Sequence, residues 1–436
     1  MNRQPSLLRL TATLGATLLL AGTLVACGGG SDDGKTDGGG GGGGGGDTKV
    51  LTMWAHTDPN YQEVAKKNAA AYQEETGIEI KLTFVPWDQM GAKITAAFQA
   101  GTEPDIIQGV SSWLYAQKAG GQLDQVPADL VALMDGMAAA SLVPCEYKGD
   151  YYGVPLNVNI DGGPFTIYNV ADFAEAGVEP GWDSWDAYIA DLQKLTVTSG
   201  DTITRSGLQM MGGDLMVQYL SFFLQAGGEF YSEDGRSVQI NNEYGAKALQ
   251  VMYDLLNVYK VDSTDLTDFA GVAVGTASTV NYGPWYTAIL ESDFPDLDWG
   301  WARLPTIPDS IGPYFPGTNV WAWMVADTSQ NKEAAWDYVR WLGDEQRLLD
   351  WSVQTGEIPA VKALWTNPAV AENPRLAPWF DVLDYQVAML SIGQQDVFEK
   401  VINDMVEEVL RDQVSIEEGL AKAEEQLNQM MASLPE

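Results

Sequence analysis

Histidine occurs once in this chain, at His56, and cysteine twice, at Cys27 and Cys145. A single imidazole excludes a zinc site built on several histidines, and any Ser-His-Asp or Cys-His nucleophile would rest on His56 alone. Two cysteines make no disulfide framework, and neither a metal nor a cofactor is expected. Basic residues are also scarce: 24 Lys and Arg stand against 60 Asp and Glu, for a net charge of −36. A polyanion repels a polyanion, so nucleic acid is excluded as a partner, as is an anionic lipid surface for the folded body. The acidity fits a solvated extracellular surface and says nothing of fold. No internal repeat is visible.

The chain does have ample core-forming material. It is 45 % apolar with 15 Trp and 18 Tyr. After residue 48 about 390 residues remain, enough for one large two-lobed protein or two ordinary domains. Before that point the chain is different in kind. Arg3 and Arg9 precede the uncharged apolar stretch Leu10 to Val25, which at roughly 16 residues is short for a membrane span and right for an export signal. Leu24, Val25 and Ala26 then lead into Cys27, an order that resembles the lipobox of bacterial lipoproteins. That resemblance implies a signal peptide over 1–26 and a mature N-terminal Cys27 carrying lipid on its sulfur and its amine. Residues 28–48 are Gly, Asp, Ser, Thr and Lys only, with nine consecutive glycines at 38–46. Such a coil reaches roughly 25 Å, so 27–48 reads as a tether. A phosphate-binding glycine loop would need a strand before it and a helix after it, and neither is predicted.

From Lys49 the pattern alternates between strand and helix. Lys49–Trp54 reads as a strand, and Tyr61, Val64, Ala65, Ala69 and Tyr72 recur at helical spacing up to a stop at Gly77. Ile78, Ile80, Leu82 and Phe84 alternate on one strand face. Asp88 is expected to cap a helix carrying Met90, Ile94 and Phe98 and ending at Gly101, before a buried strand over Pro104–Val110. This succession predicts parallel pairing and an α/β class. GVPLNVNIDGG (153–163) and ARLPTIPDSIGPYFPG (302–317) are strand-like stretches broken by Pro and Gly, suited to crossings between lobes near residues 157 and 306. The last part is helical: Trp336, Val339 and Leu342 share one helix, and Ile416, Leu420, Ala423, Leu427 and Met430 another, the latter opened by the capping box Ser415 and Glu418.

Several stretches together resemble one family over nearly the whole chain after the tether. They are LTMWAHTDPN (51–60), ETGIEIKLTF (75–84), AGTEPDIIQGVSSWLYAQKAGGQLDQV (100–126) and YYGVPLNVNIDGGPFTIYN (151–169), then NYGPWYTAIL (281–290), GTNVWAWMVADTSQNKEAAWDYVRWL (317–342) and TGEIPA (355–360). In this order they resemble the extracellular solute-binding proteins of ABC sugar importers, the group that includes maltose-binding protein. The resemblance implies a type II two-lobed α/β periplasmic-binding-protein fold with hinge crossings and a helical C-terminal part. It implies closure on a sugar by hinge bending, with no chemistry done. Lobe 1 is expected over 49–157 and 306–349, and lobe 2 over 158–305 and 350–436. The crossing segment departs from the family pattern at IDGGPF (160–165), leaving Asn159 and Asp161 as alternative hinge-side contacts.

Sugars present apolar C–H faces edged by hydroxyls, and sites for them combine aromatic platforms with planar hydrogen-bonding side chains. Trp285 follows Gly283 and Pro284 at an expected helix start, where the sharp turn presents the indole to a ligand. Trp54 and His56 end the first strand, where open α/β sheets place ligands; Trp54 reads equally as a packed residue, and His56 as a polar cleft contact or a loop residue. Asp58 either binds hydroxyls or caps the next helix. Trp87, Ser111 and Trp113 follow other strand ends. Asn319 and Trp321 face the ligand from the returning strand, with Trp323 in the core, and Glu357 in TGEIP is a further contact. Asp105 is expected to be structural. Trp182, Trp185 (behind a Ser184 cap), Trp336, Trp341, Trp351, Trp365 and Trp379 are assigned to packing.

The expected function is a lipid-anchored binding protein on the outer face of the cytoplasmic membrane, monomeric, that captures a carbohydrate of more than one ring and delivers it to an ABC permease. The alternatives are the same fold holding a non-sugar, such as a polyamine on acidic walls, or a surface glycoside hydrolase. Hydrolysis requires two carboxyls about 5–10 Å apart across the bond, and no acidic pair stands out beside the aromatic motifs.

Overall fold

β1 (Val50–His56) opens the folded part and buries Leu51, Met53 and Ala55 on one face. α1 (Pro59–Thr76) follows, capped by the Asp58 carboxylate, which accepts from the backbone of Asn60 and Tyr61. It buries the five predicted residues Tyr61, Val64, Ala65, Ala69 and Tyr72, and it ends at Gly77 in the left-handed conformation. After β2 (Glu79–Val85) comes α2 (Trp87–Ala100), which buries Met90, Ile94, Ala97 and Phe98. The expected cap at Asp88 is corrected here. The chain enters α2 from Pro86 with no side-chain cap, which puts Asp88 inside the first turn, where its charge faces the positive end of the helix. β3 (Ile106–Val110) is buried throughout. The computed structural model describes residues 49–317, 319–389 and 395–434, so the expected signal segment, Cys27 and the tether lie outside the described residues. Among those described, no helix is long and apolar enough to cross a membrane.

Two short strands, β4 (Val154–Pro155) and β5 (Asn157–Val158), then lead to β6 (Phe165–Asn169). The second lobe contains α3 (Leu215–Ala226), β7 (Thr279–Val280), α4 (Pro284–Asp293) and β8 (Trp299–Arg303). β9 (Trp321–Val325), α5 (Lys332–Leu342), α6 (Glu345–Thr355) and β10 (Ile358–Pro359) come next, followed by α7 (Gln395–Leu410) and α8 (Ile416–Ser433). The capping box at Ser415 and Glu418 is formed.

One sheet has the order β2-β1-β3-β9-β4, with β1 parallel to β2 and β3, and β9 antiparallel to β3. The other has β6 between β7 and β8, antiparallel to both. Each sheet sits in its own apolar surroundings, giving a two-lobed α/β fold. The first core joins β1, β3 and β9 to Trp336, Val339 and Leu342 of α5, and it also takes in Trp351, Ala360 and Leu364. The second joins Tyr188 and Leu192 to Tyr219 and Phe223 of α3 and to Ile402, Val406 and Leu427 of the C-terminal helices. A smaller cluster of Val158, Ile160, Phe165, Phe315, Ile358 and Trp379 lies along the crossing stretches. Trp323, Trp336, Trp351 and Trp379 are buried in these cores, while Trp182, Trp185, Trp341 and Trp365 pack against them. Ser184 caps the helix that begins at Trp185, and Asp105 accepts hydrogen bonds from Thr52 and Ser329.

Candidate functional site

Parallel strands end on the same edge of a sheet, and an antiparallel strand begins there. His56 closes β1, Val110 closes β3 and Trp321 opens β9 opposite Val110, so three side chains far apart in sequence converge on one edge. Asp58, Asn60 and Tyr61 at the start of α1, Trp87 at the start of α2, and Asn319 just before β9 extend this wall. The facing wall is built from the crossing stretch (Asn159, Asp161), the start of α3 (Gly213, Asp214, Met216), Phe269, Tyr282, Trp285 and Ile289 around α4, and Glu399 and Asn403 of α7. Thr355 and Glu357 lie beneath. The cleft between them measures about 450 Å³, within the range of sites that enclose small molecules.

The aromatic residues form two groups. On the first wall Trp321 packs 4.9 Å from Tyr61, 5.6 Å from His56 and 5.9 Å from Trp87, centroid to centroid. On the second, Trp285 stacks with Phe269 at 6.4 Å and an interplanar angle of 21°, and meets Tyr282 at 5.4 Å. The predicted turn positions Trp285: Gly283 precedes Pro284, and a Cβ at Gly283 would lie 1.6 Å from the Ile160 carbonyl oxygen. Only glycine lets α4 start against the crossing strand, and that contact holds Trp285 at the cleft.

Polar groups fill the space between. Tyr61 donates its hydroxyl to Glu357 Oε1 at 2.7 Å, and Asn157 Nδ2 donates to Oε2 at 2.9 Å. Asn157 Oδ1 in turn accepts from the Trp321 backbone N–H at 2.8 Å. Burial pushes the Glu357 carboxyl up to about 7, opposed by those two hydrogen bonds and reinforced by Asp161 and Asp58. Burial likewise pushes Asp214 up to about 8, with Asp161 and Glu399 adding to it and the bond from Val217 N–H opposing. Burial holds His56 below its ordinary range, against the pull of Asp58. Because the Asp58 backbone N–H donates to His56 Nδ1 at 3.3 Å, the neutral ring keeps its proton on Nε2, a donor for the cleft. Asn159 Nδ2 donates to Asp161 Oδ2 at 2.7 Å. Trp285 Nε1, Asn319 Oδ1 and Asn403 Oδ1 are shielded from water and have no partner among the described residues. No group of His, Cys, Asp and Glu among the described residues has the arrangement to hold a metal ion.

Nine of the expected site residues line this cleft: His56, Asp58, Trp87, Asn159, Asp161, Trp285, Asn319, Trp321 and Glu357. The two alternatives at the crossing, Asn159 and Asp161, are both there and bonded to each other. Asp58 caps α1, as one of its two expected roles has it, and it also lines the cleft. Three expected residues do not line the cleft. Trp54 shares a strand face with His56 but sits two residues back from the edge, where Lys93 of α2 lies 4.5 Å over its ring. Ser111 and Trp113 are drawn under the surface because a tight helical turn over Ser111–Leu114 begins directly after β3, and Trp113 backs Trp87 at 4.6 Å. Tyr61, Asp214, Phe269, Tyr282, Glu399 and Asn403 were missed as lining residues. Tyr282 adjoins Trp285 in the same motif, and Asp214 stands in cap position before an apolar run; Glu399 and Asn403 carry no local signal. Asp58, Asp161 and Glu357 are expected one by one from sequence, Asp214 and Glu399 are not, and the fold brings all five carboxyl groups to one cleft.

The chain is similar to known proteins over most of its length. The chain is 24 % identical over 368 residues to a Brucella abortus (strain 2308) protein described as a binding protein, covering 80 % of this chain and 85 % of that one. It is 20 % identical over 386 residues to the maltotriose-binding protein of Pyrococcus abyssi (strain GE5 / Orsay), covering 86 % and 81 %. A solved structure, an ABC transporter solute-binding protein from Thermotoga lettingae TMO bound with alpha-D-tagatose, shares the fold with a TM-score of 0.76 at 23 % identity, covering 88 % of this chain and all of that one. Residues 55–346, more than half of the chain, match the model of the bacterial extracellular solute-binding protein family, and the chain belongs to that family.

Proposed function

We propose that this chain captures a carbohydrate between its two lobes and presents it to the permease of an ABC importer. The observation that carries this reading is the pairing of two aromatic walls across one cleft, Trp87 and Trp321 on one side and Trp285 and Phe269 on the other, with amide and carboxylate groups between them. Rings cover the C–H faces of a sugar while planar polar groups take its hydroxyls. The similarity to proteins named for maltotriose and for bound tagatose points the same way. In this reading the nine cleft residues anticipated from sequence contact the solute, joined by Tyr61, Phe269 and Tyr282.

Capture works as a population shift. A solute that touches both lobes in the closed form and one in the open form favours closure, and the closed shape docks on the permease. Lobe 1 then comprises 49–157 and the stretch from about residue 320, continued through Leu364 by the packing of Trp351 and Leu364; 158–307 and the chain beyond about residue 389 make lobe 2. The protein acts as a monomer without catalysis, anchored outside the cytoplasmic membrane through lipid on Cys27. Incorporation of labelled palmitate that disappears in Cys27→Ser tests the anchor.

Calorimetric titration with mono- and oligosaccharides tests the function. Saturable heat with an unaltered sugar supports it. Release of reducing ends would transfer the five carboxylates to a hydrolase, and no binding with any sugar would remove the carbohydrate.

A further inference from the structure

We infer that the solute is a saccharide bearing at least one protonated amino group, seated against Asp161, Asp214 and Glu399. The inference rests on the carbohydrate reading above and narrows it.

Five carboxylates line the cleft, from Asp58, Asp161, Asp214, Glu357 and Glu399, and among the described residues no lysine or arginine lines it. They come from separate places in the fold: the cap of α1, the crossing stretch, the cap of α3, the turn before β10 and the second turn of α7. No single acidic run accounts for their meeting. Hydroxyls of a neutral sugar are served by a few acceptors balanced by donors. Five carboxyl groups around one cavity of about 450 Å³ are far more than that need, and carboxylates gathered in partly buried surroundings raise one another's proton affinity, which an ammonium relieves. Added to burial, the larger cause, that effect acts at two points. Asp161 and Glu399 act on Asp214, while Asp161 and Asp58 act on Glu357. Asp161 therefore acts on both acidic groups. The one imidazole, His56, is held neutral by burial and offers no compensating charge.

Two further observations favour a cationic sugar over a bare cation. Trp285 and Phe269 present stacked rings, with Phe269 47 % exposed; such faces take both a sugar's C–H surface and an ammonium. Trp285 Nε1, Asn319 Oδ1 and Asn403 Oδ1 are buried and unpartnered among the described residues. An ammonium satisfies the two acceptors, but the Trp285 N–H needs an acceptor that a polyamine lacks and a saccharide's hydroxyl supplies. An ammonium has three N–H donors and no acceptor, which matches a carboxylate wall.

The test is calorimetric titration of the full chain at pH 6.5 and low salt with four probes. These are a glucosamine oligosaccharide, its fully N-acetylated counterpart of equal length, maltotriose and spermidine. The aminated saccharide is expected to bind at least about tenfold more tightly than the acetylated one, and added salt is expected to erode that preference. Asp161→Asn, which removes the carboxylate that acts on both Asp214 and Glu357, is expected to lose most of the preference. Should that variant fail to fold, Glu399→Gln serves the same purpose. Binding of the aminated saccharide no tighter than its acetylated counterpart, or none at all, overturns the inference. In that event binding of maltotriose or of the acetylated sugar leaves the carbohydrate reading standing, whereas binding of spermidine alone removes both.

Discussion

Tyr61 and Glu357 lie 296 residues apart and meet through a 2.7 Å hydrogen bond at the floor of the cleft. The same carboxylate holds Asn157, and Asn157 holds the backbone at Trp321. One buried acid thus ties together α1, the first crossing and the returning strand. Tyr61→Phe removes a donor and leaves Glu357 short of a partner, at an expected cost of about 1–3 kcal/mol. Urea unfolding checks it, and a midpoint equal to that of the parent would show the bond to be idle.

The same acid sets a pH dependence. Its native carboxyl is pushed to about 7 from an ordinary value of 4.5. Between those values the folded chain holds a proton that the unfolded chain has released, so stability is greatest below the window and falls as pH rises through it. Asp214, raised to about 8, acts in the same sense. The unfolding free energy is expected to drop by about 3 kcal/mol from this group between pH 4.5 and 7.5. Glu357→Gln is expected to flatten that slope in melts recorded across the range.

Gly283 and Gly77 should respond very differently to alanine. A Cβ at Gly77 meets nothing within 4 Å, and only its left-handed φ of 75° opposes substitution, at a cost of roughly 1 kcal/mol. A Cβ at Gly283 collides with the Ile160 carbonyl, so α4 must move away from the crossing strand. Gly283→Ala is expected to cost more than about 3 kcal/mol and to weaken solute binding as Trp285 shifts; equal melting points for the two variants would contradict the packing described.

Cys145 is buried, and burial pushes its thiol up to about 12, with Lys118 opposing. The thiolate is the reactive species. In the native protein Cys145 is therefore expected to resist a thiol reagent and to react fully once denatured, as peptide mapping after labelling would reveal.

Trp87 offers the cleanest probe of the cleft because it is 48 % exposed. Trp87→Ala is expected to lower sugar affinity at least about tenfold while the melting temperature stays within a few degrees of the parent's. A large loss of stability with unchanged affinity would return Trp87 to the packing residues.

Much of this architecture is legible in the sequence, for identifiable reasons. Periodicity locates α1 to the residue on its buried face, because a helix that packs on a sheet needs its apolar groups at 3.6-residue spacing. His56 is found as the end of the first strand, and Trp321 by its place in the resembling stretch 317–342, without coordinates. The misses are of another kind. Trp54 and Trp113 sit within two or three residues of a strand end, and which side of that end faces the cleft is decided by how the next turn packs. Glu399 and Asp214 come to the site by folding of distant segments, and an acid within a helix looks like any solvated one. Composition registers the acidity of the chain but not the convergence of part of it on one cavity.

The scarcity of basic residues at the cleft has a practical consequence. No primary amine lines it among the described residues, while Lys66, Lys67, Lys194 and Lys400 lie exposed elsewhere on the surface. Amine-directed coupling, whether to a dye or a sensor chip, therefore modifies the outside of the molecule and leaves the binding chamber chemically intact, and the native tryptophans of that chamber supply an optical readout without any label.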